Sequence, residues 1–128
     1  MRRILVNMKD LFFADALAQS LQADPRGGFT VQRVTAPEEL VQYSALYSPY
    51  AVLMEVTRYP PYGIEERLKI RNAVKTIRPD CKVVLVVDEN SEKEAADRVR
   101  QAKKDGLIDQ FIYGSISPAY LVALMDTL

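Results

Sequence analysis

Lys82-Val83-Val84-Leu85-Val86-Val87 has no polar side chain after its first residue. A strand with one wet face alternates apolar and polar residues, so an unbroken apolar run reads as a strand covered on both faces. Covering both faces takes helices above and below, the arrangement of a parallel sheet in an α/β domain. The segments on either side of this run agree. Before it, Ile64, Leu68, Val74 and Ile77 recur at helical spacing and stop at Pro79. After it, Ser91-Glu92-Lys93-Glu94 has the form of a capping box, and Gly106 stands where a helix end favours positive φ. Phe111-Ile112-Tyr113 reads as a last short strand. Ser117-Pro118 then opens a helix whose apolar face is Leu121, Val122, Leu124, Met125 and Leu128.

The N-terminal half repeats the alternation. Ile4-Leu5-Val6 is a short buried-strand pattern, and Leu11, Phe13, Ala14, Leu17, Ala18 and Leu21 follow at helical spacing until Pro25 and Gly27-Gly28. Phe29 to Val34 alternates and is β-rich. Thr35-Ala36-Pro37-Glu38 reads as a capping box, with Leu40, Val41, Tyr43 and Leu46 in the helix beyond it. Tyr50-Ala51-Val52-Leu53-Met54 is a central strand ending at Glu55, and Tyr59-Pro60-Pro61-Tyr62-Gly63 is a loop, since two prolines in a row suit neither helix nor sheet. Five strands alternating with five helices over residues 1–128 predict one domain. The expected fold is a flavodoxin-like three-layer sandwich, with a parallel sheet in the order 2-1-3-4-5.

Composition narrows the function. Seventeen Lys and Arg balance seventeen Asp and Glu, so there is no basic excess of the kind that draws nucleic acid. One cysteine, Cys81, rules out an internal disulfide, and at the start of a strand it reads as packed. No apolar run approaches a membrane span, and the apolar stretch after Met1-Arg2-Arg3 is too short for a signal peptide. A cytoplasmic protein without membrane contact is the expectation. The absence of histidine excludes Ser–His and Cys–His nucleophile systems and His metal sites. Gly27-Gly28 precedes a strand, whereas a phosphate-binding P-loop follows one. The chain is therefore not expected to be an enzyme. Arg67, Lys69, Arg71, Lys75 and Arg78 read as a solvated helix face, with Glu65 and Glu66 at the end favoured by the helix dipole.

In an open α/β sheet, ligands lie beyond the carboxyl ends of the strands, where the strand order reverses. That places Asn7, Met8, Lys9 and Asp10 with Glu55, Val56 and Thr57, beside Val87-Asp88 and Gly114-Ser115. Arg3-Ile4-Leu5-Val6, Ala51 to Gly63, and Phe111 to Pro118 together resemble the receiver (CheY-like) domain of bacterial two-component response regulators, over the whole chain. The resemblance implies a signalling module of the phosphorelay kind, and it also marks departures. Where the family has an acidic pair for Mg²⁺, the chain has Met8 and Lys9, with Asp10 alone beyond them. Glu55 stands at the phosphoacceptor aspartate. Val87 or Asp88 replaces the hydroxyl after strand four, and Gly114 and Ser115 replace the lysine and proline after strand five.

The chain therefore reads as a degenerate pseudo-receiver, without cofactor, working by contact with a protein partner or effector domain, as a homodimer or as part of a larger protein. Two alternatives stand beside it. One is a phosphorylatable receiver with an atypical pocket and Mg²⁺. The other is a small-ligand domain using the vacated pocket beside Tyr59 and Tyr62. A salt bridge from Lys9 to Glu55 is one expectation, and a strand-end carboxylate in water or at a helix N-terminus is the simpler one. Tyr59, Tyr62, Phe111 and Tyr113 are the interface candidates; Phe111 falls where the family often has a switch aromatic, and plain core packing is its other reading.

Overall fold

The computed structural model describes residues 2–128. Five strands, β1 (Arg2–Asn7), β2 (Phe29–Arg33), β3 (Ala51–Glu55), β4 (Lys82–Val87) and β5 (Gln110–Tyr113), alternate with five helices. These are α1 (Leu11–Ala23), α2 (Glu39–Tyr47), α3 (Ile64–Ile77), α4 (Lys93–Lys104) and α5 (Pro118–Asp126). The sheet is parallel in the order β2-β1-β3-β4-β5, the flavodoxin-like order expected.

Side chains alternate between the faces of a strand, and β4 feeds both layers. Val84 and Val86 join Ile4, Val6, Leu17, Leu21, Leu53, Leu121 and Met125 under α1 and α5. Val83, Leu85 and Val87 join Leu5, Leu40, Val52, Met54, Val74 and Val99 under α2, α3 and α4. All five apolar residues of β4 are fully buried. Burial of side chains of this size contributes roughly 1.5–3 kcal/mol each, so β4 is the best-anchored strand of the sheet. The helix α4 is attached differently. It buries only Ala96, Val99 and Ala102 and holds its neighbours through arginines, Arg98 to Glu65 at 3.3 Å and Arg100 to the Tyr113 hydroxyl at 2.8 Å.

Helix ends only partly follow the sequence pattern. Ser117 caps α5, its hydroxyl accepting the Tyr120 N–H at 3.2 Å, and Gly106 has φ 75° just beyond α4. The two capping boxes do not form. The helix starts three residues later than Thr35-Glu38 implies, so Glu38 is the cap residue of α2 and Glu39 accepts the Ala36 N–H. Ahead of α4, the carboxylate of Asp88 takes the Asn90 and Ser91 N–H groups, and Glu92 is held by Arg58.

Candidate functional site

The strand order reverses between β1 and β3, and the ends of these strands frame a crevice. Asn7 closes β1 opposite Met54 and is fully buried. A buried amide has to satisfy both its ends. The Asn7 Nδ2 donates to the carbonyls of Val34 at 2.7 Å and Thr35 at 3.2 Å, tying down the exit of β2. Its Oδ1 accepts from Nη1 of Arg67 at 2.7 Å.

Arg67 is the main departure from the sequence reading. Its side chain is buried beneath the sheet ends rather than on a solvated face. Besides Asn7 Oδ1, it donates from Nη2 to the Asn7 carbonyl at 3.2 Å and from Nε to the Glu55 carbonyl at 2.8 Å. Tyr62 covers it, with the guanidinium 5.0 Å from the ring centre. Burial pulls the guanidinium down to about 10, against the pull of Tyr62, Glu55 and Glu66, so it stays charged at neutral pH. The residue follows Ile64 by three positions and precedes Val74 by seven, which puts all three on the buried stripe of α3. That spacing was the available signal, and the basic residues around Arg67 masked it.

Glu55 makes the second connection. Its Oε1 accepts the backbone N–H groups of Lys9 at 2.6 Å and Asp10 at 2.9 Å, in the turn that leads into α1. The expected Lys9–Glu55 side-chain salt bridge is not formed. The Lys9 ammonium lies 4.5 Å from the ring centre of Tyr59, which Arg58 also approaches at 5.6 Å. The carboxylate is better served by two fixed amides than by a flexible ammonium that would lose rotamer freedom on pairing. Asp10 faces the other way and caps α1 through the Phe13 N–H at 3.0 Å. Met8 is buried in the core under α1 and α5.

The remaining candidates surround this centre. Val87 is buried, and its carbonyl accepts the Gly114 N–H at 3.0 Å. Asp88 is exposed, and the Asn90 N–H, followed by the Ser91 side chain and N–H, holds its carboxyl below the usual range. A side chain at Gly114 would meet the Phe13 ring at 3.4 Å from its Cβ. Ser115 donates to Glu89 at 3.0 Å. Phe111 and Tyr113 pack edge to face at 5.5 Å, half-buried beside α4. The β3–α3 loop is internally bonded, with the Thr57 N–H on the Tyr62 carbonyl at 3.0 Å. It is tied to the start of α4 through Arg58 and Glu92 at 3.2 Å. Tyr59 is half exposed.

The donor set tests whether this crevice suits Mg²⁺. That ion demands near-octahedral oxygen ligands and is usually held through one or two carboxylates. Met8 and Lys9 supply no oxygen from their side chains. Asp10 is engaged at the α1 cap, and Glu55 at two amides. Deep in the crevice the Arg67 guanidinium donates to the Glu55 carbonyl and to Asn7 Oδ1. No group of three or more His, Cys, Asp and Glu residues is placed to hold a metal ion among the described residues. The residues present do not fit Mg²⁺.

No family model matches the chain, and no curated protein matches it. Solved structures do. The chain is similar to a CheY-like response regulator receiver domain protein from Methanospirillum hungatei JF-1, at 16% identity and TM-score 0.75, covering 99% of this chain and 92% of that one. The response regulator TrrA from Thermotoga maritima, in complex with Mg²⁺ and BeF, gives 17% identity and TM-score 0.74, with 99% and 98% covered. A LuxR-family DNA-binding response regulator from Staphylococcus aureus gives 16% identity and TM-score 0.73, with 99% and 98% covered. The fold is therefore CheY-like. No helix among the described residues is long and apolar enough to cross a membrane.

Proposed function

We propose that the chain is a receiver-like signalling module that acts by binding a protein partner or effector domain and does not transfer a phosphoryl group. The fold supports a module of this type. One observation carries the departure from phosphoryl chemistry: the carboxylate at the acceptor position, Glu55, is tied to the Lys9 and Asp10 amides while Arg67 fills the crevice behind it. Transfer to a carboxylate takes a cation to neutralise the developing charge. Oε1 of Glu55 is engaged at two amides, and no metal-ligand cluster stands beside it among the described residues.

Partner contact falls on exposed apolar groups at the edges of the same face. Tyr120 is 62% exposed beside Phe111, Ile116 and Leu124, which line a depression of about 500 Å³. A second reading, binding of a small ligand, is favoured by a crevice of about 580 Å³ walled by Val6, Met8, Lys9, Leu11, Val34 and Tyr62.

Intact-mass spectrometry after incubation with acetyl phosphate and Mg²⁺ tests the main reading. An unchanged mass for the native chain and for Glu55→Asp is expected. A labile, Mg²⁺-dependent phosphoryl adduct on the native chain overturns it.

A further inference from the structure

Arg67 has no carboxylate partner in ion-pair contact among the described residues, although it is fully buried. Its acceptors are one side-chain amide oxygen and two main-chain carbonyls. An unpaired buried charge is costly, and it persists only where several fixed dipoles compensate it. Here those dipoles belong to the ends of β1 and β3, the two strands that frame the crevice. Three inward-facing oxygens around one positive charge are the environment of a bound hard cation, with the cation supplied by α3. The same side chain joins three elements: Asn7 on β1, Glu55 on β3, and α3, to which it belongs. Through Asn7 it also reaches the exit of β2, whose carbonyls at Val34 and Thr35 take the other end of that amide. Glu55 closes the circuit by holding the turn into α1.

We propose that Arg67 is the resident cation of this crevice, a positioning residue that takes the place of a divalent ion and holds the ends of β1 and β3 and the turn into α1 in one arrangement. This rests on the reading of the crevice as one that performs no phosphoryl chemistry, and it adds how the crevice is kept in a single state. A planar guanidinium suits the task, because its donors leave in fixed directions and reach separate acceptors. A lysine ammonium offers its donors from one atom and cannot span Asn7 and the Glu55 carbonyl together.

Two measurements on the full chain test this. The first is a ¹H–¹⁵N NMR titration of the native protein with magnesium chloride. The Arg67 Nε–H signal is expected to be protected from solvent exchange, and the amide signals of residues 7–10 and 55–57 are expected not to move. A saturable movement of those amides, or an Nε–H that exchanges freely, overturns the proposal. The second is hydrogen exchange on Arg67→Lys and Arg67→Met. Exchange at the Lys9 and Asp10 amides is expected to speed up by about tenfold or more in both variants, while the Val83–Val87 amides keep their protection. A merely structural loss would loosen β4 as well. Unchanged protection at Lys9 and Asp10 overturns the proposal. If Arg67→Met does not fold, Arg67→Lys and the native titration decide. A phosphoryl adduct in the acetyl phosphate experiment would refute the proposed function and with it the replacement of a divalent ion, whereas no adduct together with a freely exchanging Nε–H would refute the role of Arg67 alone.

Discussion

Replacing Asn7 by leucine keeps the γ-branched shape of a fully buried side chain and removes all of its side-chain hydrogen bonds. The bond from Arg67 at 2.7 Å has a charged donor, and such bonds contribute about 1.5–3 kcal/mol. Its loss leaves a guanidinium N–H buried without that acceptor. The bonds to the Val34 and Thr35 carbonyls add about 1 kcal/mol, and the extra apolar contact of leucine returns about the same. The expected loss is about 3 kcal/mol. For a chain of 128 residues the unfolding entropy near Tm is about 0.27 kcal/mol/K, so Tm falls by about 11 °C. Thermal and urea unfolding followed by circular dichroism measure this, with an unchanged urea slope showing that the same surface is exposed in both proteins. The double variant Asn7→Leu/Arg67→Met separates this reasoning from simple damage. With both partners removed, neither side chain leaves the other unsatisfied, so the double loss falls short of the sum of the single losses by about 1–3 kcal/mol. An Asn7→Leu loss below about 1 kcal/mol, or strict additivity in the cycle, refutes the reasoning.

Three further outcomes are expected. Cys81 is 2% exposed and burial pushes its thiol up to about 11, so at pH 8 a thiol reagent labels it only as fast as the protein unfolds, and rapid stoichiometric labelling of the folded chain contradicts this. Burial pushes the Asp109 carboxyl up, but the hydrogen bonds from Lys75 and the Val83 N–H outweigh it and leave the group below the ordinary carboxylate range. Its contribution is therefore present above the unfolded aspartate value and lost as pH falls through the lower folded value; Lys75→Met should flatten the acid limb of the stability curve, and an unaltered limb counts against the pair. Ser117→Ala removes the cap of α5 and costs about 1 kcal/mol by urea midpoint, while Ser91→Ala, at a capping box that does not form, leaves the midpoint unchanged.

The strand run at Lys82–Val87 and the alternation around it were enough to give the sheet order, because a doubly covered strand has few alternatives once crossovers are right-handed. The helix starts were less legible. A capping box is a pattern of four residues, and beside Thr35 the Glu39 carboxylate took the Ala36 amide, while at Ser91 the Asp88 carboxylate took the Ser91 amide. The site was legible in its membership and illegible in its wiring. Asn7, Lys9, Asp10 and Glu55 do meet at the strand ends, but what they bond to depends on which atoms the backbone turn presents. Lys9 turned to an aromatic ring and left Glu55 to the amides. Arg67 was hidden by its company: five basic residues in one segment suggest water, and only its register with Ile64 and Val74 marks it as inward.

The helix α4 buries two alanines and a valine, and nine of its twelve residues are left unburied. Substitutions at such positions usually change stability by no more than about 0.5 kcal/mol in either direction. Its outer face can therefore be rewritten almost freely while the sheet beneath it stays the same. The chemistry of the surface on this side of the molecule is thus a separate variable from folding, and it can change there without rebuilding the core.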